Sequence, residues 1–221
     1  MNVRNVITFL TLLFLPALAF AVGDSGDVAQ ARAELISANL GLVKLVIFLI
    51  GFTLFVSGGY KLKLLTDEGG KMGKGVPLVY MIIGAVLMNV TLAIGVFGNT
   101  YFKAGDFCFV VEEGAINNAC MNTEISGVTG ELKARIEKLS SGSTAQAFMD
   151  NVQFIIGIFQ IVGLIYFSVG AYGIAEVSNG SSKENGYGKP IITMFASALI
   201  IDLPHTAQMA IDTLEQIGIN F

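Results

Sequence analysis

Charge is what this chain has little of, and histidine and cysteine are scarcer still. Of 221 residues only 14% are charged, against 53% hydrophobic, with 1 histidine and 2 cysteines. The scarcity removes whole classes of chemistry. His205 stands far in sequence from Cys108 and Cys120, which argues against a zinc site, and no carboxylates recur at metal-ligand spacing. No nucleophile has a base at a spacing that would activate it, so neither an enzyme nor a bound cofactor is expected. The stretch Gly69-Gly70-Lys71-Met72-Gly73-Lys74 fails as a phosphate loop, because the spacing before Gly-Lys is too short and Gly75 stands where Ser or Thr is needed. It reads as a flexible polar turn whose lysines can face anionic headgroups.

Two long stretches lack charge altogether, from Val76 to Phe102 and from Asn151 to Ala175. Each exceeds the roughly 20 residues that cross a ~30 Å hydrocarbon core. A mean hydropathy of +0.69 agrees, and a membrane protein is the reading that follows. A third run, Leu45 to Tyr60, is shorter but bracketed by Lys44 and Lys61, whose ammonium groups can reach outward to the headgroups. A fourth, from Ile191, is interrupted by Asp202, Pro204 and His205.

Ahead of these lies a segment with the form of a secretory signal. Arg4 precedes apolar sequence from Val6 to Phe20, and Ala19-Phe20-Ala21 offers a small-residue cleavage pattern before Gly23-Asp24. Cleavage after Ala21 is expected, and an uncleaved anchor helix is the alternative. Either way Val22 starts outside the cytoplasm. Four spans then place the turns 61–75 and 177–189 inside and 103–150 outside. Lys61, Lys63, Lys71, Lys74, Lys183 and Lys189 concentrate in the two short turns, as the positive-inside rule asks.

Both cysteines fall in the outer segment, where an oxidising space favours a Cys108–Cys120 disulfide. Closing so short a loop is worth about 3 kcal/mol in the chain-entropy model; two free thiols are the competing reading. Around it, 107–111 is β-prone and 112–127 reads as loop. An amphipathic helical pattern from Thr129 carries Leu132, Ile136 and Leu139, and a capping-box spacing starts a new helix at Ser143. At the other end, 25–40 reads as a short amphipathic helix with Ala29, Ala33 and Leu40 on one face, or else as a frayed terminus.

The organisation is therefore an all-α membrane protein of tandem parts: 1–21 signal, 22–43 outer amphipathic N-terminus, 44–102 first transmembrane hairpin, 103–150 outer insert and 151–221 second hairpin. The two hairpins repeat one pattern. Gly58-Gly59-Tyr60-Lys61 leads through a polar stretch to Gly75-Val76-Pro77, and Gly170-Ala171-Tyr172 leads likewise to Gly188-Lys189-Pro190. Counting equally from Pro77 and Pro190 through apolar sequence reaches Asn89 in one copy and Asp202 in the other. A repeat constrains the fold before any element is assigned. Gly84, Gly157, Gly163, Gly170 and Gly173 are small residues of the kind that lets membrane helices approach closely.

Asn89 and Asp202 are the polar groups that ask for an explanation, since charge inside a span is costly and usually faces a cavity, a partner or a pathway. Twelve residues of helix from Pro190 carry Asp202 roughly 18 Å across the bilayer. It either faces water or another subunit there, or caps a helix that ends near Leu203-Pro204, with His205 as a partner.

The second hairpin, through Gly170-Ala171-Tyr172, Gly188-Lys189-Pro190 and Leu203-Pro204, resembles the small inner-membrane proteins of type IVB secretion and IncI-type conjugation machines, the IcmC/DotE, IcmD/DotP and DotV group. The resemblance covers mainly Gly163 to Pro204. The first hairpin keeps Gly58, Tyr60, Gly75 and Pro77 but has Val90-Thr91 in place of Leu203-Pro204. It implies a non-enzymatic subunit of a secretion or conjugation channel in a bacterial inner membrane, with N-terminus, insert and C-terminus in the periplasm. Its partners would be the lipid bilayer, further copies of itself and other small membrane subunits of the machine, with no nucleic-acid site evident. The alternatives are a small repeat-built transporter or ion-conducting protein, and a pilin-like polymer subunit.

Overall fold

The computed structural model describes residues 25–67, 73, 75–102, 109, 111–112, 115–116, 142–180 and 186–218. The signal segment with Ala19 and Ala21, the Cys108–Cys120 pair, the helical pattern from Thr129 and the lysines Lys71, Lys74 and Lys183 lie outside the described residues.

Helices make up nearly all of what is described: α1 Ser25–Asp67, α2 Gly75–Met88, α3 Val90–Phe102, α4 Gly142–Ser178, α5 Gly188–Ile201 and α6 Leu203–Gln216. The expected amphipathic N-terminal helix runs without interruption into the first apolar run as α1. Helix α4 begins one residue ahead of Ser143, within the ordinary uncertainty of a helix end. Within the segment expected as a β-prone run and a loop, β1 Val111–Glu112 and β2 Ala115–Ile116 form a two-residue antiparallel ladder, Val111 opposite Ile116.

Two compact units divide the chain, Met1–Gly41 with Cys108–Ile158 and Leu42–Phe107 with Phe159–Phe221. In the first, Ala33, Ile36 and Leu40 are buried at alternating spacings of three and four, the seam of a helix packed along one stripe. Arg32 donates through Nη1 to Asn151 Oδ1 at 3.2 Å and holds its guanidinium 5.4 Å from the Phe154 ring centroid. Its charge thus meets an amide oxygen and an aromatic face together.

The second unit contains most of the apolar helix. On α1 the buried seam continues through Val43, Ile47 and Leu54, while α4 buries Ile161, Leu164, Phe167 and Ala171 at or below 1% exposure. Leu87 and Ile94 are buried as completely on α2 and α3. Phe97 meets Phe167 edge to face, with centroids 5.9 Å apart and planes at 85°, the arrangement that the ring quadrupoles favour.

Among the described residues, two helices are long and apolar enough to cross a membrane, over Gln30–Thr66 and Asn151–Ser178. A third candidate exists only if α2 and α3 are taken together, and they are bent by 92° at a break. The run 76–102, expected as one span, is thus two helices. Its continuity in composition hid the break, because Asn89 and Thr91 are the polar side chains near its middle and neither is charged. Helix α5, at 14 residues, measures about 21 Å, less than the ~30 Å of a hydrocarbon core.

Candidate functional site

The site is built from two helix pairs made the same way. Helix α2 lies against α1 at two glycines seven residues apart, Gly51 and Gly58. A Cβ on Gly51 would stand 2.7 Å from Met88 N and 2.8 Å from Gly84 O, and one on Gly58 would stand 2.9 Å from Met81 N and 3.0 Å from Pro77 O. Helix α5 meets α4 through Gly163 and Gly170, again seven apart. There the Cβ positions fall 3.1 Å from Ser197 O and 3.2 Å from Ile201 N, then 2.9 Å from both Met194 N and Pro190 O. Numbering shifts by 112 along the long helices, from 51 to 163 and 58 to 170. It shifts by 113 along the short ones, from 77, 81, 84 and 88 to 190, 194, 197 and 201.

Seven-residue spacing keeps a contact stripe facing one partner helix along its length. Glycine at each contact lets backbone approach backbone, the packing that substitutes for a hydrophobic driving force in lipid. The contact is reciprocal in the first pair, where a Cβ on Gly84 would meet Phe55 N at 2.6 Å and Gly51 O at 2.8 Å. Ser197, buried on α5, is the small residue at the matching position.

Most of the residues that mark the turns in sequence lie inside helices. Gly58, Tyr60 and Lys61 belong to α1, which runs on to Asp67, and Gly170 and Tyr172 to α4, which runs on to Ser178. Pro77 and Pro190 each stand third in their short helix, where a missing N–H removes no intrahelical bond. Lys189 precedes Pro190 in the same turn. Lys61 donates through Nζ to Asn179 Oδ1 at 2.7 Å and lies 3.6 Å from the Tyr80 ring centroid. Its ammonium ties the last turns of α1 to α2 and to the residue that follows α4.

Both short helices end at the matched polar residues. Asn89 N donates to Ala85 O at 3.2 Å and Asn89 O accepts from Ala93 N at 2.9 Å; Asp202 N donates to Ala198 O at 3.1 Å and Asp202 O accepts from Thr206 N at 3.0 Å. The backbone hydrogen bonds at the break are the same in the two copies, and the causes of the break differ. Pro204 stands second in α6 and has no N–H to extend α5. In the first copy, Asn89 Nδ2 reaches Ala85 O at 3.4 Å, competing with its own backbone N–H for one carbonyl.

Side chains then separate the two breaks. Asp202 makes no capping bond to α6; its Oδ1 accepts from His205 Nδ1 at 2.6 Å, and the two residues are only 7% and 9% exposed. Gln160 donates through Nε2 to Ile201 O at 3.3 Å, and the Thr206 hydroxyl lies 2.8 Å from Leu199 O and 2.9 Å from Asp202 O. Carbonyls orphaned at the end of α5 thereby find donors. Beside Asp202 a cavity of about 10 Å³, lined by Ile94, Phe97, Phe195 and Ala198, has room for about one water. Phe48, Leu92 and Ala93 stand where Gln160, His205 and Thr206 do. Asn89 is exposed, and an open groove of about 660 Å³ runs along Lys44, Leu45, Phe48, Met88, Asn89 and Leu92.

Gly51 and Gln160 escaped the reading of the sequence. The seven-residue glycine spacing shared by both copies was a usable signal for Gly51. Nothing local marked Gln160, whose acceptor is 41 residues away. Comparison of the chain with models of protein families, with curated proteins and with solved structures found no match to any.

Proposed function

We propose that this chain is a non-enzymatic structural subunit of a type IV secretion apparatus of the Dot/Icm or conjugation kind, oligomerising in a bacterial inner membrane to form or line a translocation channel. The observation that carries this reading is the doubled glycine seam together with what it leaves uncovered. Close backbone contact uses one face of α1, while Leu45, Leu49, Phe52 and Val56 follow one another along another face at 51 to 59% exposure. A stripe of that length needs lipid or a neighbouring helix against it. Only 28% of the most apolar stretch of α1 is buried, against 61% for α4, so α1 is the helix with a face to offer a second subunit. The resemblance to the secretion proteins adds support, because Gly170 and Pro190, two of the residues that carry it, are where α4 and α5 touch.

In this reading a signal is cleaved after Ala21 and the two helix pairs make four passes. The turns 61–75 and 177–189 are cytoplasmic, the insert 103–150 is periplasmic with Cys108 joined to Cys120, and both breaks lie toward the periplasmic side. Purification of the full chain in mild detergent, followed by mass measurement, tests it. A homo-oligomer or a complex with other small membrane subunits is the expected result. A stable monomer that binds no sister component would sink the proposal.

A further inference from the structure

We infer that Asp202 and His205 together form a binding site for one proton, and that loss of this proton opens the break between α5 and α6. Asp202 Oδ1 lies 2.6 Å from His205 Nδ1, and both residues are buried. With the imidazole protonated the pair is neutral as a whole; without that proton, one negative charge stays behind among apolar walls. Burial penalises the second state, so the bound proton favours the closed break over the open one. Histidine is the side chain that ordinarily exchanges its proton near neutral pH, and this pair contains the 1 histidine of the chain.

The helices packed against the break leave the pair to balance its own charge. Over Val90–Phe102, α3 has Tyr101 as a titratable residue and no charged one. Between Asn151 and Ala175, α4 has no charge either; its Gln160 reaches the end of α5, and its Tyr166 and Tyr172 are exposed. On α5 the charged side chain is Lys189, near the opposite end of the helix from Asp202. Helix α6 carries Asp212 and Glu215, about 10 Å and about 15 Å along the axis from His205. On α1, Lys44 lines the groove at Asn89 and Lys61 is bonded to Asn179. The cavity of about 10 Å³ beside Asp202 sets a water-sized space against the carboxylate, where a proton can be handed over. At the matching positions the first break has Asn89 and Leu92, neither of which titrates. It is an internal control.

Two readouts on the full chain in bilayer nanodiscs test the inference. Isotope-labelled histidine makes the imidazole signals of His205 readable on their own. Amide hydrogen exchange, corrected for the intrinsic effect of pH, reads the opening of the peptides covering 199–206 and 86–93. The imidazole is expected to titrate between about pH 5 and about pH 8. Over the same interval, opening of 199–206 is expected to increase roughly tenfold as pH rises, because a closed form that binds more protons than the open one loses stability in that direction. The 86–93 peptide is expected to show no such step, and His205→Phe and Asp202→Asn each to remove it from 199–206. A 199–206 peptide indifferent to pH would overturn the inference, as would a step that persists in either variant or appears equally in 86–93. An imidazole that does not titrate in that interval would overturn it too. Should a variant fail to fold, the imidazole signal and the two peptides of the parent chain still decide. Neither readout depends on a secretion role, so the two proposals fail separately.

Discussion

The first and second helix pairs share a backbone plan and differ in what they do with its weak point. Each lays a 14-residue helix against a long one through two glycines seven residues apart, and each ends that helix at a polar residue with the same pair of backbone hydrogen bonds. Past that point the second copy turns inward, burying Asp202, His205 and Gln160 in a bonded cluster, whereas the first leaves Asn89 beside an open apolar groove. Packing geometry is therefore set by small residues in contact, and the break can be sealed or left open without disturbing it.

The largest effect is expected where the shared part is attacked. Gly84→Leu and Gly163→Leu each drive a side chain into backbone of the facing helix, and a loss of about 1–3 kcal/mol or more is expected for each. Thermal unfolding in detergent reads it, with Gly59→Leu, which meets open space, as the comparison. If Gly84→Leu melted like Gly59→Leu, the first seam would not be the partner of the second.

Next come the breaks themselves. Asp202→Ala removes the acceptor of a buried hydrogen bond and is expected to cost about 1–3 kcal/mol. Asn89→Ala, at an exposed position, is expected to stay within about 0.5 kcal/mol. Equal losses in the same melts would erase the contrast. Gln160→Leu leaves the Ile201 carbonyl without its side-chain donor, with an expected loss of about 1 kcal/mol, while Phe48→Leu at the matched position should change stability little. Lys61→Met gives up a cation–aromatic contact worth about 0.5–1 kcal/mol at an exposed site and should loosen the end of α1 in limited proteolysis.

Much of the architecture was legible because it rests on patterns that recur along the chain. Apolar runs without charge marked the helices, and the Gly-x-Pro restarts marked α2 and α5 and put Asn89 level with Asp202. The bend at Asn89 was not legible, since asparagine within apolar sequence is a weak breaker and this one acts through a contact with its own Ala85 carbonyl. At Asp202 the adjacent Pro204 left a visible sign. Gln160 was hidden for a different reason: its role depends on which face of α4 meets the end of α5, a tertiary fact. The first turn was overestimated because Tyr60 ends the apolar run, yet α1 continues through largely polar sequence to Asp67.

Amide hydrogen exchange at the two breaks, followed by mass spectrometry on one sample, tests the contrast most directly. Protection reports how much bonded and buried structure must open to expose a backbone N–H. The peptide covering 86–93 is expected to exchange markedly faster than the peptide covering 199–206, and Gln160→Leu is expected to narrow the gap by accelerating the second. Equal protection of the two peptides in the parent chain would contradict the division between an open break and a sealed one.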